Sequence, residues 1–454
     1  MSKKLTEKPT VTQMSDTDSI FGKFGGAVGQ MRISDFRSHL NDNDNQVLND
    51  LAFYIDVNSA SSLGSTRVDV GGNLNMRAMW EAAHIDALMD ANGNYCELNP
   101  NDCRYTAEGE AVVDLTTNEV VAKFANCDFM GIIPLTYGRI QMIQIGSVTR
   151  PRLWLSLVPL PGGFIIPQQV VGKFKCSNVS SKLRSLPNKT PTGSQTINGF
   201  WNLAQARSKN HGLANLDFRN HLLFYMMSKY GWRDSQNCKG SDNTPIWGVG
   251  LDGTESTESG ESTSSVGFTR QSGIKTGATL SLGKYDGKVA VTDSASHTCH
   301  SVNVCGFENP WGQYWEMVQG LCSVGNDVYC WRNNVLPTGT PTAATFQNMD
   351  CVKLTRPTSS AWGMNIIASE NGQGCYMIPK ESISGISYGD YYSYAEAGQL
   401  WLFGGFSYHG ATCGLASAYS YFAWSNSSSN ISARLAYYGS VNKVSAARLA
   451  ELAV

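Results

Sequence analysis

Charge is scarce in this chain. Charged residues make up 16% of its 454 positions, against about a quarter in an ordinary globular protein. Lys and Arg number 35 and Asp and Glu 37, so the formal net charge is −2. So little positive charge does not suit a phosphate backbone, and no nucleic-acid partner is expected. No long apolar run occurs, which argues against membrane insertion. The start, Met1-Ser-Lys-Lys-Leu-Thr-Glu-Lys-Pro9, lacks the apolar core of a secretory signal. The twelve cysteines contain no C-x-x-C pair. With no secretory signal, they read as buried thiols of a protein folded in a reducing compartment. Neither a phosphate loop nor H-E-x-x-H is present.

What the chain does have is glycine and aromatics: 45 Gly, 11 Trp, 19 Tyr and 17 Phe. The length suits about three domains at most. Gly25-Gly26 between two short apolar stretches predicts a hairpin, and Ser34 to Leu40 a helical turn after it. Residues 1–45 therefore read as an N-terminal β-hairpin/helix unit, too small for a core of its own. Residues 46–110 read as a connecting region, with one helix permitted between Met76 and Met89. Strand-like alternation begins near Ala111. Helices are expected around Phe200–Arg207 and over Asp217–Tyr230, the second stopped by Gly231. Its apolar positions 218, 222, 225, 226 and 230 predict one buried face. Residues 111–440 form the main unit, and 441–454 a short helical tail.

Two clusters invite chemistry. His297, Cys299, His300 and Cys305 are the densest thiol and imidazole group, though the spacing matches no standard zinc finger. Glu308 and Glu316 flank Trp311, Tyr314 and Trp315, and two carboxylates beside aromatics would suit a glycosidase. The alternative is that they make structural hydrogen bonds. A third stretch, Trp401 to Asn426, pins loops with Gly404, Gly405, Gly410 and Gly414 and fills them with Tyr, Trp and Ser. That is paratope-like composition, since Tyr and Trp give contact area at low entropy cost. The predicted binding residues are Ser407, Tyr408, His409, Thr412, Tyr419, Tyr421, Trp424 and Asn426. Trp401 and Phe403 are expected in the core, and Ser407 to His409 on the surface.

Three segments carry a resemblance. Phe307-Glu-Asn-Pro-Trp-Gly-Gln-Tyr-Trp-Glu-Met-Val-Gln-Gly320 is similar to a G-N-x-W-E-W-x-x-G signature through Gly312, Trp315 and Glu316. Trp401 to Gly405 is similar to a W-x-x-G-G turn, with Gly404 and Gly405 in place. Ile431-Ser-Ala-Arg-Leu-Ala-Tyr437 is similar to a closing G-[AF]-R-L strand, with Arg434 in place and Ser432 where glycine usually stands. Together they resemble the C-type lectin fold of phage receptor-binding proteins of the major-tropism-determinant kind and of the formylglycine-generating sulfatase-modifying family. The N-terminal piece, with Gly25-Gly26 and Ser34-Asp-Phe36, looks like the leader of fibre proteins in phages of gut Bacteroidetes, including crAss-like phages.

The resemblance implies an α+β chain: a C-type lectin fold with long loops, behind a virion-anchoring hairpin/helix unit. It implies a head- or tail-fibre adhesin in the virion, a homotrimer contacting other virion proteins and a bacterial surface glycan or protein. Some members of such folds hold calcium, but no calcium ligands are legible here and no cofactor is expected. The sulfatase-modifying enzymes carry a reactive cysteine pair after the Gly-Gly turn. Here only Cys413 lies near, so a non-enzymatic role is expected. The alternatives are an architectural capsid or tail decoration, a sulfatase-modifying-type enzyme, or a glycan depolymerase.

Overall fold

The computed structural model describes residues 19–24, 27–32, 44–59, 61–98, 104–105, 110–114, 117, 119–248, 250–252, 273–293, 296, 298–362, 365–368, 375–379, 390–407 and 412–453. Strand outweighs helix, 37% to 17%, so sheets organise an α+β architecture. The expected pair of strands is present: Ser19–Phe24 pairs antiparallel with Ala27–Arg32, with Phe24 opposite Ala27. The predicted turn at Ser34 to Leu40 lies outside the described residues.

Three sheets hold most of the core. One has seven strands in the order His211–Leu213, Leu435–Tyr437, Gln169–Gly172, Asp128–Ile133, Ile85–Met89, Asn94–Glu97, Asn442–Lys443. A second has five: Phe164–Ile166, Thr136–Ile145, Val148–Ser156, Phe53–Ile55, Val70–Gly72. The third has six: Ala361–Trp362, Tyr391–Tyr394, Ala418–Phe422, Leu400–Phe403, Trp315–Met317, Ile431–Ala433. The seven-stranded sheet runs across the expected divisions. It joins strands from 46–110, from 111–440 and from the tail, so breaks at 110 and 440 would cut through shared backbone hydrogen bonds. The helix permitted between Met76 and Met89 is present but fills only the first part of that stretch. Helix α1 covers Leu74–Ala82, capped by Asn73, and Ile85–Met89 is a strand.

Helix α2, Ile197–Gln205, is capped by the Thr196 side chain, which accepts from the Gly199 amide. Helix α3, Leu216–Tyr230, starts where Asn215 Oδ1 accepts from the Phe218 amide and stops at Gly231, with φ +66°. A residue with a Cβ pays a steric penalty in that left-handed conformation, so glycine ends the helix cleanly. The expectation of a single buried face is corrected: every residue from Leu216 to Ser228 is buried. A helix buried all round must find partners for its polar side chains. Asp217 receives Arg332 Nε and Nη2 at 2.6 and 3.0 Å. Arg219 donates to the carbonyls of Pro310 and Leu415 at 2.8 and 3.0 Å. The tail helix α4, Ala446–Leu452, buries Leu449.

Candidate functional site

The three motif segments meet. Trp315–Met317 lies between Leu400–Phe403, antiparallel, and Ile431–Ala433, parallel. Glu316 faces Phe403 on one side and Ser432 on the other. Its carboxylate is fully buried. Arg434 Nε donates to Glu316 Oε2 at 2.9 Å, Lys175 Nζ to the same oxygen at 3.0 Å, and Arg219 Nη1 lies 4.0 Å from Oε1. Burial would raise the carboxyl pKa, but these three cations outweigh it and hold it at about 2. Burial pulls the Lys175 amine down to about 8 against the attraction of Glu316. Three cations face one carboxylate, and carbonyl oxygens take up the excess. Besides the Arg219 bonds, Arg434 donates to Lys173 O at 2.7 Å and to Glu308 O.

Glycines close the backbone around this hub. The Gly312 amide donates to Gly405 O at 3.3 Å. Gly404 and Gly405 have φ of +89° and +76°, and a Cβ on Gly405 would meet Cys413 Sγ. Ser432 stands at the usual glycine position without a positive φ, so its Cβ costs nothing there. The paired-carboxylate reading of Glu308 and Glu316 is corrected. Glu308 is 2% exposed; it accepts from the Gly277 amide and from the Thr279 amide and hydroxyl at 2.8–2.9 Å. Both carboxylates are sealed inside the protein, where no glycosidic bond reaches them, and both tie loops or strands together.

The predicted binding residues scatter by burial. Trp401 and Phe403 are core, as expected. Ser407 is 1% exposed, contrary to the surface position expected for it, because the chain after Gly405 turns inward: Phe406 and Cys413 are buried with it. Trp424 is also buried, and its indole N–H donates to Asn198 Oδ1 on α2 at 3.0 Å. Neither offers a ligand a surface. Tyr419 and Tyr421 share one face of the strand Ala418–Phe422. Tyr419 packs on Trp315 with ring centroids 4.3 Å apart, while Tyr421 is 55% exposed. Thr412 and Asn426 are half-buried. Tyr408 and His409 lie outside the described residues.

No model of a known protein family matches the chain, and no characterised protein matches it in sequence.

Two features were not legible in the sequence. One is an open cleft of about 380 Å³ whose lining includes Gln168, Lys209, Asn210, Asn333, Tyr437 and Tyr438. Gln168, Lys209, Asn210 and Asn333 are exposed there. The other is a buried triad. His84 Nε2 lies 2.5 Å from His221 Nε2, and the Cys305 thiol joins them with all three ligand atoms within 4.8 Å of one another. Burial lowers both imidazole pKa values, His84 to about 4, and raises that of the thiol. All three groups are therefore neutral at neutral pH. Of the cluster expected from sequence, Cys305 belongs here instead. Cys299 and His300 are neighbours on the strand Thr298–Val304, so their side chains point to opposite faces. His297 is outside the described residues. All eleven described cysteines are free thiols. Among the described residues, no helix is long and apolar enough to cross a membrane.

Proposed function

We propose that the chain is a phage virion adhesin, a head- or tail-fibre protein carrying a C-type-lectin-like recognition unit. One observation supports this reading above the others. Three motif segments, spread from Phe307 to Tyr437, lie on neighbouring strands and close on one Glu316–Arg434 hub. A rigid hub beneath long loops is how a scaffold keeps a variable recognition surface in register. The N-terminal hairpin attaches to other virion proteins, and the chain assembles as a homotrimer. Its ligand is a bacterial surface glycan or protein.

Recognition on this reading is noncovalent. Tyr421 is an exposed ring on which a sugar or aliphatic face stacks, and Asn426 lies a few residues away. The amide-lined cleft at Asn210 and Asn333 supplies donors and acceptors suited to sugar hydroxyls. Ser407 and Trp424 take the role of support beneath this surface.

The test is an array of surface polysaccharides from candidate host bacteria, probed with the purified full chain. Binding is expected, weakened several-fold by Tyr421→Ala or by the pair Asn210→Ala and Asn333→Ala. A wild-type chain that binds none of them and no intact cell contradicts the adhesin reading. Release of oligosaccharide from a bound polysaccharide contradicts the non-enzymatic one.

A further inference from the structure

The His84, His221 and Cys305 triad is unconnected to the recognition surface and demands its own account. Three distant parts of the chain supply it. His84 follows α1, and its Nδ1 lies 2.9 Å from the carbonyl of Glu81. A carbonyl only accepts, so Nδ1 carries the proton and Nε2 presents a lone pair. That is the outer hydrogen bond that orients a metal-ligating histidine. His221 projects from α3 and aims its own Nε2 at the same point. Trp80 closes the space, with ring centroids 5.4 Å from His84 and 4.8 Å from His221. His84, His221 and Cys305 are 4%, 2% and 4% exposed.

A hydrogen bond between the imidazoles accounts for two of the three groups, but not for the cysteine. Val304 pairs with Phe307 across Cys305-Gly306, and both turn residues have positive φ, +52° and +86°. That is the requirement of a type I′ hairpin turn, whose first position favours Asn, Asp or Gly. Cysteine is the wrong residue for this backbone, and nothing about the turn explains it. The conformation is nonetheless fixed, because the Cys305 amide donates to Asp286 Oδ1 at 2.8 Å. Strain of this kind persists where the surroundings over-determine it, and it collects at functional sites. The turn thus carries a thiol to the place where two imidazole Nε2 atoms meet.

We propose that His84, His221 and Cys305 form a buried site for a thiophilic transition-metal ion, zinc foremost. Two imidazoles and a thiolate are a donor set of the borderline-soft kind that zinc takes. Zinc–nitrogen bonds of about 2.0–2.1 Å at a tetrahedral angle hold two nitrogens about 3.3 Å apart, so the rings part by under about 1 Å on binding. The ion releases the thiol proton to solvent and leaves a net single positive charge. The Asp286 carboxylate, which accepts from the Cys305 amide, is itself paired with Lys229 Nζ at 2.7 Å, so it offsets that charge only in part. The ion would join the segment after α1, helix α3 and the hairpin turn, with its fourth position left to a small ligand such as water.

The test uses the full chain. Purified from zinc-supplemented cells, it is expected to carry roughly one zinc per molecule by elemental analysis. Cobalt exchanged into the site should give a sulfur-to-cobalt charge-transfer band and the intense visible bands of tetrahedral coordination. Cys305→Asn is the decisive variant, because asparagine suits the turn and keeps the hairpin folded while removing the thiolate. It should lose the charge-transfer band and bind zinc far more weakly. His221→Ala should lose both signals, and Cys299→Ser, on the adjoining strand, should keep them. Copper bound through the Cys305 thiolate supports the site with a different ion. A wild-type chain that binds zinc and copper no better than a folded Cys305→Asn chain, and shows no thiolate band with cobalt, overturns the proposal.

Discussion

The molecule has two buried polar centres, built on opposite terms. The Glu316 hub carries its own cations: Arg434, Lys175 and Arg219 surround one carboxylate, and carbonyls take further arginine donors. The His84 triad is offered none, because Lys229 beside it is already paired with Asp286. Three neutral groups of metal-ligating type face one another, held by Trp80, Glu81 and Asp286. The first is complete when the chain folds. The second is completed from outside. The same helix feeds both, since Arg219 and His221 lie two residues apart on α3. The difference teaches that burial alone does not define a polar centre's job; what decides it is whether the positive charge comes with the sequence.

The comparison breaks first at the hub. Glu316→Gln leaves buried cations facing a neutral amide and should cost about 3–5 kcal/mol in denaturant unfolding. A loss under about 1 kcal/mol would mean that the carbonyls alone suffice. The sign with pH follows. The Glu316 carboxyl titrates at about 2 in the fold against an ordinary 4.5. Its contribution is therefore complete above pH 4.5 and lost as pH falls toward 2. Unfolding followed across that window should show the loss in the wild type and a flatter profile in Glu316→Gln.

The second centre answers to metal. Free zinc at a hundredfold over the dissociation constant should stabilise the wild type by about 2.7 kcal/mol. Differential scanning calorimetry should show no such gain in Cys305→Asn, and an equal gain in both chains would place the ion elsewhere. Gly405→Ala sharpens the hub side, since it forces a side chain into a left-handed backbone against Cys413. A loss of about 1–3 kcal/mol is expected. Smallest of all is Tyr421→Ala, which should move stability by less than about 0.5 kcal/mol while weakening ligand binding. A large loss of stability there would make Tyr421 part of the core.

Legibility followed chain distance. The Gly25-Gly26 hairpin, the Gly231 stop and the tail helix are local signals, and each was readable. The hub was readable in pieces, because Trp315-Glu316, Trp401 to Gly405 and Arg434 sit in short recognisable patterns. Lys175 and Arg219, which complete it, carry no local mark. The burial of Ser407 and Trp424 was not readable either, since Gly-rich loops look alike whether they turn outward or inward. The triad was invisible for a stronger reason: 137 residues separate His84 from His221, and no spacing rule spans that. The one available signal was a cysteine before glycine between two short strands, at Cys305-Gly306.

The adhesin reading makes a demand on position that no stability measurement reaches. Phage particles that carry the chain, labelled with an antibody to residues 111–440 and imaged by electron microscopy, test it most directly. The account predicts label on outward-facing projections of intact particles, with the N-terminal hairpin toward the particle body. Particles that contain the chain yet show that unit packed between virion neighbours, inaccessible to label, would contradict it.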